Sequence, residues 1–174
     1  MIYQSEKILN SLTLSWLVFF IILDILDTLV HFRHSELKRT MTSIFRTLSL
    51  VFAAGCVGAV ANSLLVWLFG DLGVNAALGV KIAPRLTPAW LYPRIVWGGL
   101  WGFLFLLPIL RSSLLARGLL FSLGPSLFMF FVIFPIKAKK SMFGLHLGSM
   151  TPVLVLFYNA IWGVTTAIWL KFSK

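Results

Sequence analysis

Asp24, Asp27, His31 and His34 recur at intervals of three and four, so on a helix they share one side over about three turns. Two carboxylates and two imidazoles on adjacent turns have the composition of a proton relay or a metal site, and acids within an apolar stretch are costly enough that they usually carry a role. At about 100° per residue the same stripe continues through Lys38 and, in the other direction, through Glu6, Asn10 and Thr13. A polar stripe of that length is the pattern of an amphipathic helix lying in a membrane interface, and this is the reading preferred here. No metal is expected, because spacing alone does not make the four side chains converge.

Other chemistry-bearing residues are sparse. Asp71, Arg85 and Arg94 fall in or beside a Gly/Pro-rich stretch, where the arginines could hold a phosphate. His146 stands alone between apolar residues and reads as an interfacial histidine. Cys56, the single cysteine, has no intrachain partner for a disulfide. GxSxG, HExxH, CxxC, Walker and dinucleotide motifs are all absent, so neither catalytic residues nor a cofactor are expected.

The elements that must position these residues are apolar. Of 174 residues, 59% are hydrophobic and 11% charged, against roughly a quarter charged in a soluble domain. The net charge of +10 comes from short basic clusters between apolar runs, which points to anionic lipid headgroups rather than nucleic acid. The fold class read from this pattern is all-α, a polytopic transmembrane helical bundle. Four spans are expected near residues 48–69, 95–110, 114–134 and 152–170, preceded by an N-terminal apolar or amphipathic helix over 1–40 that could add a fifth. The in-frame Met41, followed by a short polar start and an uninterrupted apolar run, gives residues 1–40 a second reading as an upstream extension. The domain division is then 1–40 and 41–174.

Within the spans, Pro93 is expected in the first turn of the second one and Pro152 in the first turn of the last. Gly124-Pro125 should kink the third, with Ser122 or Ser126 compensating the freed carbonyl, and Pro135 should end it. Small residues predict the helix contacts. Gly98 and Gly102 share one face, and Gly55 and Gly58, with Ala54 and Ala59, offer the matching surface on the preceding span. Asn62 should hydrogen-bond across a helix contact, and Tyr158, Asn159, Trp162 and Thr166 should form one polar-aromatic face turned towards protein. Headgroup contacts are assigned to Arg85, Arg94, Lys137, Lys139 and Lys140. The segment Val74–Ile82 is expected to be amphipathic or partly re-entrant.

The function read from this pattern is a structural, accessory or assembly role in a membrane, a bacterial inner membrane by preference, with the lipid bilayer, a membrane protein or further copies of the chain as partners. A transport or channel subunit, with Asn62, Asn159, Thr165 and Thr166 lining a path in an oligomer, is the first alternative. A lipid-modifying enzyme is the second. Lys and Arg are distributed almost evenly between the two sides, with a slight excess that favours a cytoplasmic C-terminus.

Overall fold

The computed structural model describes the backbone of residues 2–139 and 141–173, and the side chains from Leu23 onward over the same range. The side chains of Glu6, Asn10 and Thr13, and all of Lys140, lie outside the described residues. Every described element is helical: α1 (Ile2–Asp71), the single turn α2 (Val74–Ala77), α3 (Pro88–Gly102), α4 (Leu114–Phe128) and α5 (Thr151–Phe172). A 3₁₀ turn at Phe103–Leu106 follows α3, a π-helical stretch at Met129–Lys137 prolongs α4, and a short irregular turn occupies Met142–Leu147. Among the described residues, three helices are long and apolar enough to cross a membrane: Leu23–Asp71, Leu114–Lys137 and Thr151–Phe172.

The chain divides into two compact units, Met1–Arg46 and Thr47–Lys174, so the boundary falls a few residues after the Met41 break. In the first unit every side chain from Leu23 to Arg46 is exposed. Thr28, Ser35 and Thr42 turn their hydroxyls back onto the carbonyls of Asp24, Phe32 and Lys38, one turn earlier in the same helix.

The second unit holds the core. α3 begins five residues before Pro93, because Thr87 caps it by accepting from the backbone N–H of Trp90 and Pro88 takes the first helical position. Pro93 therefore lies inside α3 instead of starting it. The helix expected over 95–110 also ends early: after Gly102 the backbone tightens to 3₁₀ and is extended at Leu107, where the ring of Pro108 disfavours the helical conformation. Arg117 fastens that ending, its Nη2 donating to the carbonyls of Phe105 and of Leu107, the latter at 3.1 Å.

In α4, Pro125 is accommodated within the helix, but the two serines do not serve the carbonyl it frees. Ser122 Oγ donates to Leu119 and Ser126 Oγ to Ser122, each within its own turn. Pro135 does not end this element either. The backbone widens to π spacing and closes with Ala138 N–H on the Ile133 carbonyl at 2.8 Å, a register that tolerates the N–H missing at Pro135.

Glycines set the closest helix approaches. A Cβ on Gly55 would strike the carbonyl of Gly98 and lie 3.0 Å from the Cα of Gly102, and a Cβ on Gly98 would strike Ala59. Gly58 looks elsewhere, towards Thr166 and Trp162 of α5. Gly118 and Gly163 form a second pair between α4 and α5, each meeting the other's carbonyl. With little side-chain bulk between them the backbones come close enough for dispersion contact along their length. Around these contacts Val51, Ala59, Phe105, Phe121, Trp162 and Ala167 form one buried cluster, and Val66, Val80, Leu154 and Tyr158 another.

Candidate functional site: a half-buried arginine beside an aromatic cavity

A charged side chain of α3 turns into the second unit. Arg94, on the second turn of α3, donates from Nε to Ser63 Oγ at 2.9 Å and from Nη2 to Asn62 Oδ1 at 2.7 Å. Its guanidinium also lies over the Trp90 ring, 4.7 Å from the centroid. Asn62 and Ser63 are both buried on α1, one turn past Gly58 and Ala59. The close approach of Gly55 to Gly98 thus fixes α1 and α3 at a separation that one arginine side chain bridges.

The network continues by neutral groups alone. Asn62 Nδ2 donates to the Tyr158 carbonyl at 2.6 Å and lies 3.4 Å from Asn159 Oδ1. Asn159 Nδ2 donates to Ser126 Oγ at 3.0 Å, so α1, α3, α4 and α5 each contribute a polar group. Among the described residues no carboxylate pairs with Arg94. Asp71 is the only acid in the second unit, against ten Lys and Arg. A half-buried guanidinium with neutral partners only is held at a desolvation cost that an anion would offset.

That anion has a place to sit. A cavity of about 270 Å³ opens beside Arg94, walled by Trp97, Trp101, Phe128, Met129 and Trp162 and reached by Lys137. Trp97 and Trp101 both stand against Phe128, with ring centroids 5.8 Å apart in each case. Pro125 faces the cavity too, at the point where α4 cannot carry a regular backbone ladder. The cavity therefore combines one hydrogen-bonded cation, one exposed cation at its rim and an apolar aromatic wall.

The residues singled out from sequence are placed as follows. Asp24, Asp27, His31 and His34 are exposed, and the one contact among them is His31 Nε2 to Asp27 at 3.5 Å, with both side chains more than 70% accessible. Among the described residues no three His, Cys, Asp or Glu side chains gather in a metal-binding group. Arg94, assigned to headgroups, points inward instead, because Asn62 and Ser63 offer it acceptors. Lys137 and Lys139 are exposed, as is Arg85, which shares a shallow surface cavity with Trp67, Gly70 and Asp71. The polar-aromatic face of α5 is covered, with Tyr158, Trp162 and Thr166 buried and Asn159 half-buried.

Two functional pieces escaped sequence reasoning. Ser63 was passed over, although a serine beside Asn62 on an otherwise apolar helix is the available signal for a bound cation. Asn75 is the other. Fully buried on α2, it donates to the Ile82 carbonyl at 2.7 Å and accepts from the Tyr158 hydroxyl, which ties the Gly/Pro-rich connection to α5. The backbone N–H of Lys81 extends the tie by donating to the Leu147 carbonyl at 2.7 Å.

No family model matches the chain, and no curated protein or solved structure is similar to it. The site's own chemistry is what speaks to function.

Proposed function

We propose that the chain is a small multi-pass membrane protein with an accessory role, exercised by holding an anionic amphiphile in the Arg94 cavity. The observation that carries this reading is the pairing of a guanidinium, bound only to neutral groups, with an aromatic wall: the first suits a carboxylate or phosphate head, the second an acyl chain. α3 with its 3₁₀ extension runs from Pro88 to Leu106, and fifteen helical and four 3₁₀ residues reach about 30 Å, which supports α3 as a fourth span. A bacterial inner membrane and a cytoplasmic C-terminus remain the placement favoured by composition and by the distribution of Lys and Arg.

The two alternatives have less support. Thr166 donates to the Trp162 carbonyl and packs on Gly58, and it does not line the cavity that Asn62 and Asn159 share. Asp71 and Arg85 line a different cavity from Arg94, which separates the acid from the arginine that a lipid-modifying site would need.

The test is thermal unfolding of the purified chain in an uncharged detergent with palmitate, lysophosphatidic acid or monopalmitoylglycerol added. The two anionic amphiphiles are expected to raise the melting temperature and the uncharged one not to. Arg94→Gln, which keeps a donor for Asn62 but removes the charge, should abolish the rise. An equal rise with monopalmitoylglycerol, or in Arg94→Gln, would refute the reading.

A further inference from the structure

A second cavity of about 530 Å³ lies where the end of α3, the start of α4 and the end of α5 meet, and Arg111, Arg117 and Lys171 all line it. Along α1, α3, α4 and α5 this is the opposite end of the unit from Arg94 and Lys137. Among the described residues no carboxylate lines the cavity with them: the second unit's one acidic residue, Asp71, closes α1 at the far end. Arg111 stands near enough to Arg117 for their like charges to repel.

Arg117 is built in rather than merely present. Its Nη2 is held by the Phe105 and Leu107 carbonyls, and its guanidinium lies over the Phe105 and Phe121 rings at 5.4 and 5.7 Å. Among the described residues its Nε is buried with no partner. A side chain so fixed, with donor capacity to spare and two further cations around one cavity, has the composition of an oxyanion site. The start of α4 at Leu114 adds the positive end of a helix dipole to the same space. Leu50, Leu106 and Leu170 supply an apolar flank.

We propose that this cavity binds a phosphate group, borne by a lipid headgroup or free in solution, through Arg111, Arg117 and Lys171. With no carboxylate among the described residues lining the cavity, the like charges repel one another, and a bound anion would relieve that repulsion. Arg117 positions the site. Arg111 and Lys171, both exposed and neither hydrogen-bonded to the backbone, confer most of the remaining attraction.

The experiment uses the full chain carrying Arg94→Gln, so that the aromatic cavity does not contribute. In an uncharged detergent, binding of dioctanoyl phosphatidic acid, inorganic phosphate and dioctanoylglycerol is measured by native mass spectrometry and by thermal shift. Phosphatidic acid is expected to bind and dioctanoylglycerol not to, and Arg111→Gln with Lys171→Gln should weaken phosphatidic acid at least tenfold. Without ligand the same double variant should melt no lower than its parent, since it removes repulsion rather than contacts. Inorganic phosphate competing with phosphatidic acid identifies a free-phosphate site, whereas phosphate that fails to compete identifies a lipid site. Either result supports the proposal. Undiminished binding in the double variant, no binding of phosphatidic acid or phosphate in the parent, or a marked loss of ligand-free stability in the double variant overturns it.

Discussion

Asn62 and Arg94, 32 residues apart in sequence, meet at 2.7 Å between Oδ1 and Nη2, and the same amide gives its own protons to α5. One side chain thus serves as acceptor for a cation and as donor to a second helix. Replacing it with leucine leaves a guanidinium N–H unpaired and removes the second of the two hydrogen bonds that the Tyr158 carbonyl accepts, the first being that of its own helix. Asn62→Leu is expected to lower stability by roughly 1 to 3 kcal/mol, the usual cost of one orphaned group. Adding Arg94→Leu should recover part of that loss, because a pair removed together leaves less unsatisfied than a pair broken. Denaturant unfolding of both variants in detergent checks the order, and a double variant weaker than Asn62→Leu would contradict it.

The glycine contacts predict a graded series. Gly98→Ile and Gly55→Ile drive a branched side chain into backbone and should each cost about 1 to 3 kcal/mol, as overpacking does. Gly118→Ile and Gly163→Ile should cost as much, since each lies on the other's carbonyl. Leu106→Ile, at an exposed position and with volume conserved, is the control. Melting temperatures in detergent decide whether the four glycine variants fall clearly below it.

Tyr158→Phe deletes one hydroxyl and leaves Asn75 Oδ1 without its partner. A loss of about 1 to 3 kcal/mol is expected, concentrated in the connection between α1 and α3. Hydrogen exchange should show faster exchange at Val80 and Lys81, whose amides bond Asn75 and Leu147, than in α4. Uniform loss of protection would mean that the connection is not a separate unit of stability.

A chain begun at Met41 should still insert and melt cooperatively. Every described side chain up to Arg46 is exposed, whereas the buried residues begin at Val51. Membrane fractionation and a melting curve of the shortened chain test this. Failure to insert would give residues 1–40 a part in biogenesis.

The apolar runs and the small-residue faces were legible because they depend on local composition: the Gly55 to Gly98 approach follows from spacing alone. The ends of α3 were not. Thr87-Pro88 and Pro93 both resemble helix starts, and the cap accepted by Thr87 decided between them only once the chain had folded. The assignment of Arg94 to headgroups has the same origin, since a helix beginning at Pro93 would place it in the first turn, free to reach outward. Starting at Pro88 carries it a further turn and a half inward, level with Asn62. Gly118 was missed because its partner Gly163 lies on a helix whose pairing with α4 no periodicity announces.

α5 is the last of the five helices to leave the ribosome, and that order has a consequence. Asn62, Asn75, the Gly55 carbonyl and Ser126 all precede it, and each finds a hydrogen-bond partner on it: the Tyr158 carbonyl, the Tyr158 hydroxyl, Trp162 Nε1 and Asn159. Until residue 162 emerges, these groups hold only their earlier partners and lack the contacts that fasten them to α5. Shortened products ending before α5 should therefore linger beside that machinery or be degraded, and maturation of this protein should behave as a single late event rather than helix by helix.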